Sequence, residues 1–76
     1  MNKKQLIKAI AATEYFETQK DAKAFLDEFL TIISDTVAAG NEVRITDFGK
    51  FEPFKLSNGK TTPKFRPYKE LRDKVA

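Results

Sequence analysis

The stretch from Thr18 to Gly40 carries more apolar surface than so short a chain can readily hide. Thr18 is a residue type that caps helix starts, and Asp21 puts a carboxylate at the third helical position. Gly40 suits the left-handed position just past a helix end. The helix between them, to about Ala39, would be about 33 Å long. Its apolar positions are Ala22, Phe25, Leu26, Phe29, Leu30, Ile32, Ile33, Thr36 and Val37, while Asp27, Glu28, Ser34 and Asp35 hold the wet side. That stripe is wider than a helix needs to cover one partner. The chain has 76 residues and no cysteine, so its core is marginal and no disulfide can make up the deficit. Two subunits sharing one core would use the wide stripe; a helix buried within a monomer is the alternative.

Charge divides the chain. Residues 1–40 hold five lysines against six carboxylates, and residues 41–76 hold nine Lys/Arg against five carboxylates. A basic half favours a polyanionic partner such as nucleic acid. The plainer reading is that a net charge of +3 keeps a small domain soluble. Lys3, Lys4 and Lys8 interrupt the only early apolar stretch, so no signal peptide is expected. No apolar run approaches membrane-spanning length, and a soluble intracellular protein is the expectation.

Asn2, with Gln5 three residues on, predicts a capped helix start. Leu6, Ile7 and Ile10 mark one face of that helix, expected to reach about Tyr15. From Glu42 to Thr46, Val43 and Ile45 alternate with Arg44 and Thr46, as in a half-buried strand. Asp47-Phe48-Gly49 is a turn, and Lys50 to Leu56 a second strand. Ser57-Asn58-Gly59-Lys60 signals a hairpin, and its loop length decides the faces. A two-residue Asn58-Gly59 loop would put Phe65 opposite to Phe51's face. A three-residue loop with Gly59 left-handed pairs Phe51 with Phe65, Glu52 with Lys64 and Leu56 with Lys60. That register buries both aromatics and is the one expected. It sets Pro53 opposite Pro63, where no regular ladder is expected. Pro67 suits the first turn of a closing helix. Helices, three strands and a final helix make one α+β domain over residues 1–76.

Catalysis finds little support. There is no histidine or cysteine, and the few Ser and Thr lie without a candidate base. Asp27/Glu28 and Glu14/Glu17 read as solvated helix faces. Gly40, Gly49 and Gly59 are isolated, explained by turns, and form no phosphate loop. No metal site, cofactor or small-molecule substrate is expected.

Three segments carry a resemblance. Pro63-Lys64-Phe65-Arg66-Pro67-Tyr68-Lys69-Glu70-Leu71-Arg72-Asp73-Lys74-Val75 resembles the closing F-x-P-x-K-x-L-x-x-x-V signature of the bacterial HU and integration host factor family. Met1-Asn2-Lys3-Lys4-Gln5-Leu6-Ile7 is similar to its opening, and Val43 to Glu52 to its central β-motif, with Asp47 where the family usually has glycine. The resemblance implies an HU-like intertwined homodimer, with residues 1–40 as the helical dimerisation part and 41–76 as a β-sheet saddle with a C-terminal helix. Its shared core would include Phe29, Ile33, Phe48, Phe51 and Phe65. It also implies a histone-like protein of the cytoplasmic nucleoid that binds double-stranded DNA weakly and without sequence preference. Lys3, Arg44, Lys60, Lys64, Arg66 and Lys69 would contact phosphates; Lys20, Lys23 and Lys74 read as ordinary surface charge.

Two departures qualify what carries over. The family's long β-arm ends in a proline that wedges between base pairs. From Phe54 to Pro63 there is room only for a tight hairpin, and neither Pro53 nor Pro63 sits at its tip. Kinking by proline is therefore not expected of this arm-less variant of nucleoid or phage type. Phe54 and Leu56 also stand where relatives commonly carry arginine at the arm base. Exposed, they would suit a protein contact; folded back, they would be buried locally. The alternative function is an HU-like interaction module with reduced DNA binding, such as an antagonist forming mixed dimers with a full-length HU. A structural subunit of a larger particle is a further class.

Overall fold

The computed structural model describes residues 1–76. The element order is α1 (Lys3–Ala11), α2 (Gln19–Ala38), β1 (Val43–Ile45), β2 (Gly49–Lys55), β3 (Thr61–Pro67) and α3 (Lys69–Val75). The chain forms two compact units, Met1–Ile32 and Ile33–Ala76, and α2 contributes to both.

In the first unit, Asn2 and Gln5 make a reciprocal capping box: each backbone N–H donates to the other's side-chain oxygen at 2.9 Å. α1 stops at Ala11, short of the expected Tyr15. The Thr13 hydroxyl and backbone N–H both donate to the Ile10 carbonyl, closing the last turn. The β-branched and aromatic residues that follow gain little from helix, and Phe16 packs instead on Phe25, with ring centroids 5.3 Å apart. The Thr18 hydroxyl then accepts from the Asp21 N–H at 3.1 Å and opens α2 as expected.

The second unit begins with the end of α2. Gly40, at φ 91°, donates to the Val37 carbonyl, and the Asn41 N–H donates to that of Thr36. These paired bonds form a Schellman motif and satisfy carbonyls that a helix end leaves open. The sheet is antiparallel in the order β1-β2-β3. Asp47 holds the first turn at φ 68°, a left-handed conformation that aspartate tolerates better than most residues.

The β2–β3 register pairs Phe51 with Phe65 and Glu52 with Lys64, as the three-residue hairpin requires. Gly59 takes φ 86°, and the Leu56 N–H donates to the Lys60 carbonyl at 2.7 Å. Contrary to expectation, the ladder runs regularly through Pro53 and Pro63. Hydrogen-bonded pairs alternate with non-bonded ones. Leu56 with Lys60 and Phe48 with Tyr68 are bonded at the two ends, so Pro53, Pro63 and Pro67 all fall at non-bonded positions. Their missing N–H groups are not needed between these strands. Pro67 accordingly closes β3 rather than opening the helix; Tyr68 is the N-cap of α3.

Gly49 is a strand residue, not a turn glycine. It is buried, and a Cβ there would lie 2.5 Å from the Arg66 carbonyl oxygen and 2.6 Å from the Phe65 ring. One sheet face thus carries Val43, Ile45, Gly49, Phe51 and Phe65. The Phe65 ring lies 5.3 Å from Phe48 and 4.8 Å from Phe51, both tilted. Such aromatic pairs are each worth about 0.5–1.5 kcal/mol beyond the area they bury.

Burial divides the wide stripe of α2. Ala22, Leu26, Ile33 and Val37 are buried, whereas Phe25, Phe29, Leu30 and Ile32 are exposed in the single chain. Of the expected shared-core residues, Ile33 is buried, Phe51 and Phe65 are half-buried, and Phe29 and Phe48 are exposed.

Candidate nucleic-acid interface

The sheet's second face is built by strand alternation. Residues opposite the aromatic face are Arg44 on β1, Lys50, Glu52 and Phe54 on β2, and Thr62, Lys64 and Arg66 on β3. The pairing sets Arg44 opposite Lys50 and Lys50 opposite Arg66, so three cations form a row across all three strands. Lys60 extends the basic character at the hairpin end, where its N–H donates to the Asn58 side chain at 3.0 Å.

Like charges directly opposite one another destabilise a sheet. Glu42 and Glu52 relieve this row. Glu42 bonds the Arg44 guanidinium and lies 3.5 Å from the Lys50 ammonium. Glu52 lies 3.2 Å from Lys50 and accepts from Arg66 Nε at 2.7 Å. The result is a chain of alternating charge, Arg44–Glu42–Lys50–Glu52–Arg66. The Arg44 hydrogen bond holds Glu42 below the usual carboxylate range. For Glu52 the Lys50 bond acts first and Arg66 adds to it, with partial desolvation opposing both.

Lys64 is the Cα partner of Glu52, but its ammonium does not pair with it. The ammonium sits over the Phe54 ring, 4.1 Å from the centroid. Phe54 and Leu56 are both exposed, at 37% and 40%. The sheet face therefore presents five cations against two carboxylates, with an aromatic platform beside the hairpin.

The remaining candidates lie elsewhere. Lys69 opens α3 and pairs with Asp73 at 3.0 Å. Lys3 opens α1, in the first unit, and pairs with Asp27 at 2.7 Å; Lys23 also holds Asp27, at 2.6 Å. Those two lysines, Lys23 first, lower the Asp27 pKa. Lys50 is the residue that sequence reasoning missed. Its position opposite Arg66 was implied by the register itself, since every pair follows once Phe51 meets Phe65.

A small α+β fold with a basic sheet face belongs to a class of domain suited to contact with a polyanion. Residues 1–61 match the family described as "Bacterial DNA-binding protein". Integration host factor subunit beta of Alkalilimnicola ehrlichii is 34% identical, with 99% of this chain and 90% of that protein covered. DNA-binding protein HU of Thermotoga maritima is also 34% identical, with 99% of each chain covered. Among solved structures, a point mutant of Thermotoga maritima HU matches with a TM-score of 0.90 at 39% identity, over the whole of both chains. A cocrystal structure of Anabaena HU with DNA matches with a TM-score of 0.85 at 30% identity, covering 100% of this chain and 98% of that one. The chain belongs to the bacterial HU and integration host factor family of DNA-binding proteins. Members of this family are architectural and not enzymes. The alignment to the Alkalilimnicola protein runs over 91 positions against the 76 residues here, so at least 15 positions of that relative have no counterpart.

Proposed function

We propose that this chain is an arm-less, HU-like homodimer that binds double-stranded DNA weakly, through phosphates and without sequence preference. The observation that carries this reading is the row Arg44–Lys50–Arg66, flanked by Lys64 and Lys60, on one face of a fold whose relatives include HU bound to DNA. Cations at strand spacing, with no side chain built to read base edges, match phosphate contact. Two carboxylates within the row account for weak binding. Lys69 and Lys3 are further phosphate contacts in this reading.

The dimer is supported by the exposed Phe25, Phe29 and Phe48, which a second copy would cover. The tight Ser57-Asn58-Gly59 hairpin leaves no room for a long arm, and the unmatched positions of the longer Alkalilimnicola relative agree with an arm lost there. The setting would be the nucleoid; no helix is long and apolar enough to cross a membrane.

Fluorescence anisotropy with a labelled duplex across a salt series tests this function. For duplex DNA, log K falls with log salt by about 0.9 per phosphate neutralised. Arg66→Ala and Lys69→Ala should each reduce that slope by about one phosphate, equally on every sequence. A salt-independent affinity, or strong preference for one sequence, would refute the reading.

A second reading is favoured by the exposure of Phe54 and Leu56 beside the hairpin. Here the face contacts protein, for example a full-length HU in a mixed dimer, and DNA binding is reduced. Phe54→Lys combined with Leu56→Lys would then strengthen DNA binding and abolish the protein partner. Weaker DNA binding by a folded double variant would assign the pair to DNA instead.

A further inference from the structure

Glu52 occupies an unusual place on the basic face. Its side chain is 16% exposed, while that of Arg66, which it bonds, is 54% exposed. It holds Lys50 as well, whose side chain is 25% exposed. One carboxylate thus engages two of the three cations in the row, and the third, Arg44, is held by Glu42. The cation directly opposite Glu52 in register is Lys64, yet Glu52 reaches diagonally to Arg66 and leaves Lys64 over Phe54.

A carboxylate and a phosphate offer a guanidinium the same chemistry: paired anionic oxygens that accept charge-assisted hydrogen bonds. Both relieve repulsion among opposed cations. We infer that Glu52 is a built-in competitor for DNA phosphates: it occupies Arg66 and Lys50 in the free protein and is exchanged for phosphate when duplex binds. This rests on the DNA-binding reading and adds the residue that sets its strength. Lys64 and Lys60, which no carboxylate holds, make first contact. Arg66 and then Lys50 join only as Glu52 releases them. Glu52 is on this account a positioning residue that acts through Arg66 and Lys50, not a DNA contact.

The test is Glu52→Gln, which keeps the shape and removes the charge. Glu70→Gln is the control: it changes net charge equally, on an exposed residue of α3 outside the charge chain. Anisotropy with a labelled duplex is read from roughly 50 to 500 mM salt. Arg66 and Lys50 meet phosphate in both proteins once duplex is bound, so Glu52→Gln should raise affinity severalfold across the series while leaving the log–log slope, about 0.9 per phosphate, unchanged. Glu52→Gln should show this gain and Glu70→Gln should not. Equal gains from both would reduce the effect to net charge and overturn the inference. Weaker binding by Glu52→Gln would also overturn it, by showing that the carboxylate serves to aim Arg66. If neither wild type nor Glu52→Gln binds duplex at the lowest salt, the DNA-binding reading itself fails. A readout on the unaltered protein guards against a misfolded variant. The Arg66 Nε–H resonance should shift as duplex is added, and a resonance that stays put while DNA binds would sink the exchange.

Discussion

Single residues decide how tightly the sheet packs and how its charge is spent. Gly49 is the sharpest case. Any side chain there collides with the Arg66 carbonyl and the Phe65 ring, and backbone on one side leaves little room to yield. Gly49→Ala should therefore destabilise the fold by about 1–3 kcal/mol, the usual range for overpacking; urea denaturation measures it, and an unchanged midpoint would contradict the close approach. The three lowered carboxylates give a pH dependence of known sign. Asp27, Glu42 and Glu52 are easier to ionise folded than unfolded. Their contribution is present above the ordinary carboxylate range and is lost as pH falls through the lowered folded values. The melting temperature should be flat from neutrality to about pH 5 and fall below about pH 4. Glu52→Gln should blunt that fall. Sequence reasoning found Arg44, Lys64 and Arg66 on one face because strand parity places them there. It missed the Glu52–Arg66 bond because parity fixes which residues share a face, not which diagonal a long side chain takes.

At the scale of elements, the hairpin was legible because two independent signals agreed. Asn58-Gly59 marked the turn, and only one loop length put Phe51 and Phe65 on the same side. The prolines were misread because the expectation asked whether a proline fits a ladder, not which half of the ladder it occupies. At a non-bonded position proline removes nothing between β2 and β3. The end of α1 was illegible for another reason: the Phe16–Phe25 contact that draws the chain away from the helix is tertiary. The hairpin also carries a prediction about DNA shape. Bending a duplex by 40–90° costs roughly 1–6 kcal/mol on a smooth elastic estimate, repaid only by extra contacts or a wedge. Neither Pro53 nor Pro63 lies at the hairpin tip, which is Ser57-Asn58-Gly59. End-to-end energy transfer on a doubly labelled duplex should therefore change little on saturation with this protein. A large rise in transfer would mean that another part of the molecule supplies the wedge.

For the whole molecule, the wide stripe of α2 is where one chain and two chains make different demands. Half of it is buried, and half, Phe25 and Phe29 included, is exposed. Phe29 stacks on Phe25 with centroids 6.1 Å apart and is 40% exposed. For a chain that stays single, truncating so exposed a ring should cost well under the 3–5 kcal/mol typical of a buried phenylalanine. With a second copy covering the face, the same substitution should approach that full value. Concentration then separates the two cases. A tenfold dilution weakens a dimer by about 1.4 kcal/mol. Spread over two 76-residue chains, that lowers the melting temperature by roughly 3–6 °C. Wild type should show this dependence, and Phe29→Ala should either unfold or melt far lower with a similar dependence. A melting temperature independent of concentration, together with a Phe29→Ala variant near wild-type stability and a monomer mass by sedimentation, would remove the shared core. The sheet face would then have to bind DNA as a single, isolated row of charge.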